Sequence, residues 1–440
     1  MKKVARRSAA AVILAAVLTI GLGYFVFMYV TEGKSWATYY ANSHLSGAVQ
    51  SSTVDVYDRN GLPLLTAADG KRAYSDDPGI RMSTLHTIGD LDGYIFSPAL
   101  KVFSEELTGY NPFSGVSSRA DSLTLSLDAG LCKIALSALK GAAGTVGVYN
   151  YKTGEILCMV SSPTYDPYSP PDLSESEVGY EGVYVNRFLS SAYVPGSVFK
   201  LVTAACAIDT IDDIFTQKFV CRGSLTLSGQ KIVCNNVHGE IGFKTALAKS
   251  CNAAFAEIAV QLGSDILGDF VEDTGVCGGI GFQGLKTSSG NFDLNGANTG
   301  DLAWAGIGQY TNLVNPCTLM TFMGAIANGG EQRLPSLIAG MEGKKGEQLI
   351  SPVTAGLLKE MMANNVTQSY GSSNFPGLKI CAKSGTAEVG SGANPHAWFA
   401  GFLDDPNNPY AFVVISEHSG SGSEVAGSIA NTVLQALVKS

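Results

Sequence analysis

The stretch TVGVYNYKTGEILCMVSS, residues 145–162, consists of two apolar runs on either side of Lys152-Thr153-Gly154. Apolar runs of this length that flank a short glycine-containing turn are typical of a β-hairpin. We therefore predict that this stretch forms two antiparallel strands, and that it supplies one part of a larger sheet.

The rest of that sheet is predicted near the C-terminus, where the hydrophobic pattern changes to strands joined by short turns: 377–388, 396–404 and 410–418. Such a pattern indicates an antiparallel meander. Residues 423–439 then form an amphipathic helix. Between the two groups of strands, helical patterns cover 197–208, 243–262, 299–309 and 316–328. The predicted fold is α/β, with an antiparallel sheet that is assembled from distant segments and sandwiched by helices.

The composition of the 440 residues excludes some classes of function. Apolar residues make up 45% of the chain, which is enough to bury a sizeable core. The formal net charge of −9 argues against nucleic-acid binding, because contacts to phosphates need clustered Lys and Arg.

The one basic cluster of the chain, at residues 2–7, precedes an uncharged apolar run at residues 8–31. Such a run is long enough to cross a membrane as a helix, and the basic flank would stay in the cytoplasm. The alternative, a cleavable signal peptide, usually has a shorter apolar core and a small-residue cleavage site. We expect an uncleaved single-pass signal anchor, with the remainder of the chain outside the cell membrane.

Nine cysteines are many for an exported chain, and an odd number cannot all pair within one chain. Most lie in apolar surroundings that are typical of buried thiols. Cys221 and Cys234 flank a hairpin signal at Ser228-Gly229, so they are the candidates for a disulfide; two unpaired thiols are the alternative.

The candidate nucleophile is Ser197, in PGSVFKLVTAACAID at residues 195–209. Lys200 lies on the same helical face and is the only basic residue in this apolar stretch. A lysine in apolar surroundings has a lowered pKa and can act as a base toward a serine hydroxyl. The start of a helix also offers free backbone N–H groups that can stabilise an oxyanion.

The S-x-x-K spacing alone is weak evidence, because chance predicts about two matches in a chain of this composition. It also occurs at Ser137/Lys140, at the end of a predicted helix, and at Ser228/Lys231, in a predicted turn. Neither of those serines has both a helix start and an apolar setting.

Two companion motifs follow in order. S-x-N occurs at Ser250/Asn252, at a break between two predicted helical halves, and in polar loops at Ser289/Asn291 and Ser372/Asn374. K-[ST]-G occurs in the hairpin turn at Lys152 and again at 383–385, on a predicted strand where Gly385 would let a substrate backbone approach. The order and setting of the three motifs carry more weight than any one of them.

The ordered set formed by Ser197-x-x-Lys200, Ser250-x-Asn252 and Lys383-Ser384-Gly385-Thr386 resembles the signature of penicillin-binding proteins and serine β-lactamases. The surrounding sequence is similar to class B penicillin-binding proteins over residues 121–440. Residues 32–120 would form a short extracytoplasmic pedestal, and residues 55–110 within it resemble the shortened N-terminal region of one branch of the class. No glycosyltransferase domain fits, which excludes a bifunctional class A protein.

The resemblance implies peptidoglycan D,D-transpeptidation and covalent binding of penicillin. Ser197 would attack the bond between the terminal D-Ala residues of a stem peptide, and Lys200 would take its proton. Ser250 and Lys383 would relay a proton to the departing D-Ala. A second set of groups would hold the substrate and the oxyanion: Asn252, Ser384, Gly385, Thr386 and the N–H groups of Ser197 and Thr386.

No metal or organic cofactor is implied, and a glycan polymerase of the SEDS family is the expected partner in the membrane. The motifs leave two alternatives open: a D,D-carboxypeptidase, in which water is the acceptor, and a non-enzymatic membrane scaffold or β-lactam sensor. His238, in NNVHGEIG, is expected to be structural, and Gly308-Gln309 to be a packing turn.

Overall fold

The computed structural model of the protein describes residues 2–37, 55–68, 71–90, 92–103, 108–111, 115–118, 122–172, 179–390 and 392–439. In chain order the strands are β1 Asp55–Tyr57, β2 Pro63–Ala68, β3 Lys71–Tyr74, β4 Thr108–Asn111, β5 Gly115–Ser118, β6 Ser122–Thr124, β7 Gly144–Asn150, β8 Ile156–Ser162, β9 Lys218–Cys221, β10 Ser224–Leu227, β11 Gln230–Val233, β12 Gly239–Gly242, β13 Gly281–Phe282, β14 Leu285–Lys286, β15 Glu331–Arg333, β16 Lys345–Gln348, β17 Ile380–Ala387, β18 His396–Leu403 and β19 Tyr410–Ser416.

The α-helices are α1 Lys2–Ala37, α2 Pro78–Ile88, α3 Pro98–Val102, α4 Ala129–Ala138, α5 Arg187–Ser190, α6 Lys200–Thr210, α7 Phe243–Ala248, α8 Asn252–Leu262, α9 Ser264–Thr274, α10 Thr299–Gly306, α11 Pro316–Ala327, α12 Pro352–Asn365 and α13 Gly427–Lys439. A 3-10 turn at Gly196–Phe199 precedes α6, and the π-helical turns are Val366–Tyr370 after α12 and Gly422–Ala426 before α13.

The central sheet has five strands in the order β17-β18-β19-β7-β8, and every neighbouring pair is antiparallel. The predicted hairpin at 145–162 is β7–β8, and the predicted C-terminal meander is β17–β19. Strand β19 pairs with β7, from Ser416↔Gly144 to Tyr410↔Asn150. The prediction of an antiparallel sheet built from distant segments is confirmed.

Helices cover both faces of this sheet. In its register Tyr149 shares a face with Phe402, and Phe399, three residues before Phe402, lies on the other face. Gly324 of α11 lies against the Tyr149 ring, whereas Gly427 of α13 lies 3.6 Å from Phe399 as measured to an added Cβ. The helical layers on opposite faces confirm the predicted sandwich.

The N-terminal part contains a smaller sheet in the order β3-β2-β1-β6. The hairpin β1–β2 turns at Asn60-Gly61, and Gly61 has a φ of +80°. Helix α1 contains the predicted span at 8–31 and is long and apolar enough to cross a membrane. Residues 38–54 lie outside the described residues, so the predicted pedestal at 32–120 stays a prediction.

The predicted hairpin at Ser228-Gly229 is present as β10–β11, with Leu227 paired to Gln230. It begins at Ser224, however, and Cys221 belongs to the preceding strand β9, which pairs with β12. Cys221 and Cys234 are therefore not partners across a hairpin, and both are free thiols in this structure. Of the two alternatives, the structure has the unpaired thiols.

The contact between α11 and the sheet gives a test of the packing. A Cβ on Gly324 would lie 1.8 Å from Tyr149 Oη, and Tyr149 is fully buried, so Gly324→Ala should lower the free energy of unfolding by about 1–3 kcal/mol. Gly356→Ala in α12 is the matched control, because a Cβ there meets nothing within 4 Å. It should leave stability unchanged or raise it by up to about 1 kcal/mol. Chemical denaturation measures both, and equal effects of the two substitutions would contradict this packing.

Candidate active site

Ser197 lies in the 3-10 turn Gly196–Phe199 that leads into α6. Gly196 has a φ of +54°, and a Cβ on it would lie 2.7 Å from the carbonyl oxygen of Thr386 in β17. The N–H of Gly196 donates to Gly308 O at 2.9 Å, and a Cβ on Gly308 would lie 2.0 Å from Gly196 O. Because Gly196 and Gly308 have no side chains, the backbone of the turn that carries Ser197 can pack directly against β17 at the edge of the sheet. Gly308 therefore has the packing role predicted for it.

Lys200 is the first residue of α6 and is fully buried. Its Nζ lies 3.1 Å from Ser197 Oγ, 3.2 Å from Ser250 Oγ and 2.8 Å from Ser250 O. It also donates to Asn252 Oδ1 at 2.5 Å. Burial disfavours the charged form of the amine and lowers the pKa of Lys200 to about 7. The structure therefore places an amine that can be neutral near pH 7 beside the Ser197 hydroxyl.

Ser250 lies at the break between α7 and α8 that the sequence predicts. Its φ of +51° is in the left-handed region, which is uncommon for a residue other than glycine and is concentrated at functional sites. Asn252 is the first residue of α8, and its Nδ2 donates to Val233 O at 2.7 Å while Oδ1 accepts from Lys200. The break thus turns both side chains of the S-x-N motif toward α6.

Lys383 lies on the edge strand β17, but its side chain is fully buried rather than solvated. Its Nζ donates to Ser250 Oγ at 3.0 Å and to Ser384 O at 2.8 Å. Burial, and secondarily the nearby charge of Lys200, hold the pKa of Lys383 well below its usual range. The Ser250 hydroxyl is therefore within hydrogen-bond distance of both buried amines.

Tyr370 is a residue of this site that the sequence motifs do not mark. Its Oη accepts hydrogen bonds from Ser384 N at 2.9 Å and from Ser384 Oγ at 3.1 Å. Tyr370 ends the π-helical turn after α12, and burial raises its pKa. Tyr370 therefore orients the Ser384 hydroxyl although it belongs to none of the three motifs. It reaches Ser384 only through the tertiary fold.

Gly385 has a different neighbour from the one that the sequence suggested. A Cβ at this position would lie 2.9 Å from Pro195 O and 3.1 Å from Trp398 Cβ. The missing side chain therefore admits the protein's own turn before Ser197, rather than a substrate backbone. Thr386 follows on the same strand, and its Oγ1 accepts from Gly422 N at 3.5 Å.

The motif side chains open into one cleft of about 460 Å³. The cleft is lined by Ser197, Ser250, Asn252, Ser384 and Thr386, and also by polar residues that sequence reasoning did not select: Lys231, Asn235, Lys249, Gln309, Glu388, Ser421 and Ser423. The competing S-x-x-K serines lie elsewhere. Ser137 Oγ donates to Lys133 O within α4, and Ser228 lies in the β10–β11 turn.

Comparisons with known proteins agree with this arrangement. Residues 144–435 match the family described as "Penicillin binding protein transpeptidase domain". The peptidoglycan D,D-transpeptidase PbpA of Mycobacterium tuberculosis is 27% identical over 336 residues, which cover 67% of each chain.

Two solved structures have the same fold. Penicillin-binding protein A from M. tuberculosis, in a ceftriaxone acyl-enzyme complex, superposes with a TM-score of 0.73 at 21% identity over 88% of this chain and 99% of that one. Pseudomonas aeruginosa PBP2 superposes with a TM-score of 0.73 at 23% identity over 88% of this chain and 96% of that one. Since the family match covers most of the sequence and includes all three motifs, the chain belongs to the penicillin-binding protein transpeptidase family.

Proposed function

We propose that the protein is a peptidoglycan D,D-transpeptidase that acts through an acyl-enzyme on Ser197. The observation that carries this proposal is the 3.1 Å contact between Ser197 Oγ and the buried Lys200 Nζ, whose pKa is about 7. A serine hydroxyl becomes a nucleophile when a base of suitable pKa lies within hydrogen-bond distance.

In the acylation step, Ser197 Oγ attacks the carbonyl carbon between the two terminal D-Ala residues of a stem peptide, and its proton passes to Lys200 Nζ. The tetrahedral intermediate then collapses, and its C–N bond breaks. The departing D-Ala amine takes a proton through Ser250 Oγ, which contacts both Lys200 and Lys383. The products are a Ser197 ester and free D-Ala.

In the second step, an amine from a neighbouring stem peptide attacks the ester carbon. The new amide bond forms, the ester C–O bond breaks, and the proton lost by the amine returns to Ser197 Oγ through the same lysine and serine groups. An assay of cross-linked dimer against hydrolysed stem peptide separates this outcome from the carboxypeptidase alternative, in which water is the acceptor.

The groups that we assign to substrate binding lie where the turn of Ser197 meets the edge strand β17. The N–H groups of Ser197 and Thr386 belong to two backbone segments that touch through Gly196, which supports their role as an oxyanion hole. Ser384 and Thr386 line the cleft beside them, and we assign to these hydroxyls the substrate carboxylate. Asn252, which also lines the cleft, would bind the amide of the acyl donor.

We further propose that α1 anchors the protein in the cell membrane, with the catalytic domain outside it. The support is the apolar length of α1 and the basic residues that precede its apolar part. The partner that we propose in the membrane is a SEDS-family glycan polymerase, because class B proteins act beside such enzymes and α1 would be the natural docking surface.

The first test is covalent labelling by a fluorescent penicillin. Ser197→Ala should abolish labelling, because loss of a catalytic nucleophile costs on the order of 10⁶ in rate. Ser137→Ala and Ser228→Ala, the serines of the other S-x-x-K matches, should label like the unaltered protein. Labelling that persists in the Ser197 variant would overturn the assignment.

The second test concerns the base. Lys200→Arg keeps a positive charge but cannot act as a base near neutral pH, because the pKa of a guanidinium is above about 12. Acylation should therefore collapse while circular dichroism remains that of the folded protein. If the Arg variant acylates at the original rate, the base is another group, and Lys383 is the next candidate.

The third test is the pH dependence of acylation. The pKa of Lys200 is lowered to about 7, so the neutral amine predominates above pH 7 and is lost below it. The rate constant for penicillin acylation should be flat above pH 8 and fall about tenfold per pH unit below pH 7, as for loss of one general base. Stopped-flow acylation between pH 5 and 9 measures this, and a flat profile from pH 5 to 7 would contradict a base of this pKa.

A further inference from the structure

Three thiols and one imidazole converge close to the S-x-N motif. They belong to Cys221, Cys234, His238 and Cys251, and their ligand atoms all lie within 4.8 Å of one another. The three cysteines are buried, and His238 is partly buried. In the sequence the four residues have the spacing C-x12-C-x3-H-x12-C.

The fold brings these residues together from separate elements. Cys221 ends strand β9 and pairs with Gly239, the first residue of the neighbouring strand β12, so His238 immediately precedes that strand. Cys234 follows β11, and its N–H donates to Gly223 O just after β9. Cys251 immediately precedes α8. The convergence depends on the β9–β12 pairing and not on sequence spacing alone.

The distances fit a tetrahedral metal better than a disulfide. Cys234 Sγ and Cys251 Sγ are 3.9 Å apart. Two thiolates on one tetrahedral zinc ion, each with a Zn–S bond of about 2.3 Å, lie roughly 3.8 Å apart. A disulfide instead needs an S–S distance of about 2.05 Å.

A second observation points to a ligand in the cluster. His238 Nδ1 is buried and has no hydrogen-bond partner among the residues that the structure describes. A buried polar nitrogen without a partner is costly, and coordination of a cation would satisfy it. The N–H of Ala253 also donates to Cys234 Sγ at 3.2 Å, the kind of outer contact that orients metal ligands.

We propose that Cys221, Cys234, His238 and Cys251 bind one Zn²⁺ ion in a closed Cys₃His site. Sulfur and imidazole ligands select zinc over calcium or magnesium, which prefer oxygen. Four protein ligands leave no open position for water or substrate, so this zinc is structural and takes no part in the acyl transfer. A metal would also protect three clustered thiols from oxidation outside the cell membrane.

Cys251 lies between Ser250 and Asn252, so a metal bound to it would affect the position of both residues of the S-x-N motif. The Asn252 amide donates to Val233 O. Asn252 is next to Cys251 and Val233 is next to Cys234, so this hydrogen bond joins two segments that each carry a proposed metal ligand. Bound zinc would tie the β11 segment to the start of α8. It would thereby hold the backbone that presents Ser250 to Lys200 and Lys383.

The first experiment measures zinc in the full chain, purified in detergent and dialysed against buffered zinc. Elemental analysis should find about one zinc per chain. Cys234→Ala and His238→Ala should lower the affinity for zinc by at least about tenfold. Cys132→Ala is the matched control, a buried thiol of α4 outside the cluster, and should bind zinc like the unaltered chain. Zinc retained in both cluster variants would overturn the proposal.

The second experiment does not depend on the folding of variants. Titration of the metal-free, unaltered protein with Co²⁺ should produce a thiolate-to-cobalt charge-transfer band and the visible bands of tetrahedral cobalt, both displaced by added zinc. Absence of these bands, or a disulfide between two of the three cysteines in protein that still labels with penicillin, would overturn the site. Ser197→Ala should bind zinc normally, so failure of the zinc site and failure of the proposed acyl transfer are separate results.

Discussion

The buried contact of Lys200 and Lys383 with one serine hydroxyl is the constraint on which the rest of the site depends. Transfer of an ammonium group out of water costs several kcal/mol unless it is paired with an opposite charge. Among the described residues, neither lysine forms an ion pair with a carboxylate. Their partners are instead neutral hydroxyl, amide and carbonyl oxygens, and the charge of Lys200 further disfavours the charged form of Lys383. Burial and proximity together therefore favour the neutral amines that proton transfer needs.

This constraint requires that segments far apart in the chain meet at the edge of the sheet. Lys200 begins a helix near the middle of the chain, whereas Lys383 lies on β17, which joins the sheet through β18 and β19. Their amines can meet at Ser250 only if the turn before α6 lies directly on β17. The glycines at 196 and 385 allow that approach, since a Cβ at either position would come within 2.9 Å of backbone on the facing segment. A sandwich with a larger separation at this edge would leave each lysine with water and an ordinary pKa.

The sequence predicts those parts of the fold whose patterns are local. The strands of the central sheet, the break at Ser250 and the helix predicted at 197–208 follow from periodicity and turn residues. The structure has all of them, although the α-helix begins at Lys200 and Ser197 lies in the 3-10 turn before it. Helix α12, at Pro352–Asn365, is not predicted by the hydrophobic periodicity of the sequence. Its buried side includes the polar residues Thr354 and Asn365, while Val353 is 71% exposed. The apolar stripe that signals an amphipathic helix is therefore interrupted.

Tyr370 and the thiol cluster were missed for a different reason, because both depend on contacts between elements far apart in the chain. A hairpin between Cys221 and Cys234 is visible in the sequence, but the pairing of β9 with β12 is not. That pairing places Cys221 beside His238, while its thiol stays within 4.8 Å of the Cys234 thiol. The same cysteine pattern thus indicates a disulfide when it is considered locally and a four-ligand cluster when the tertiary pairing is known.

Residues 250–252 link the reactive groups to that cluster. Consecutive side chains of this segment serve different neighbours: Ser250 contacts the two lysines, Cys251 the thiols, and Asn252 both Lys200 and the end of β11. The left-handed conformation of Ser250 costs of order 1–3 kcal/mol in isolation, so surrounding contacts must hold it. The backbone hydrogen bond from Cys251 N to Ala246 O, at 2.9 Å, fixes the segment to α7, and the bond from Ala253 N to Cys234 Sγ fixes the start of α8 to the residue after β11. Because these contacts share one short stretch of backbone, the position of the Ser250 hydroxyl depends on the cluster behind it as well as on the lysines in front.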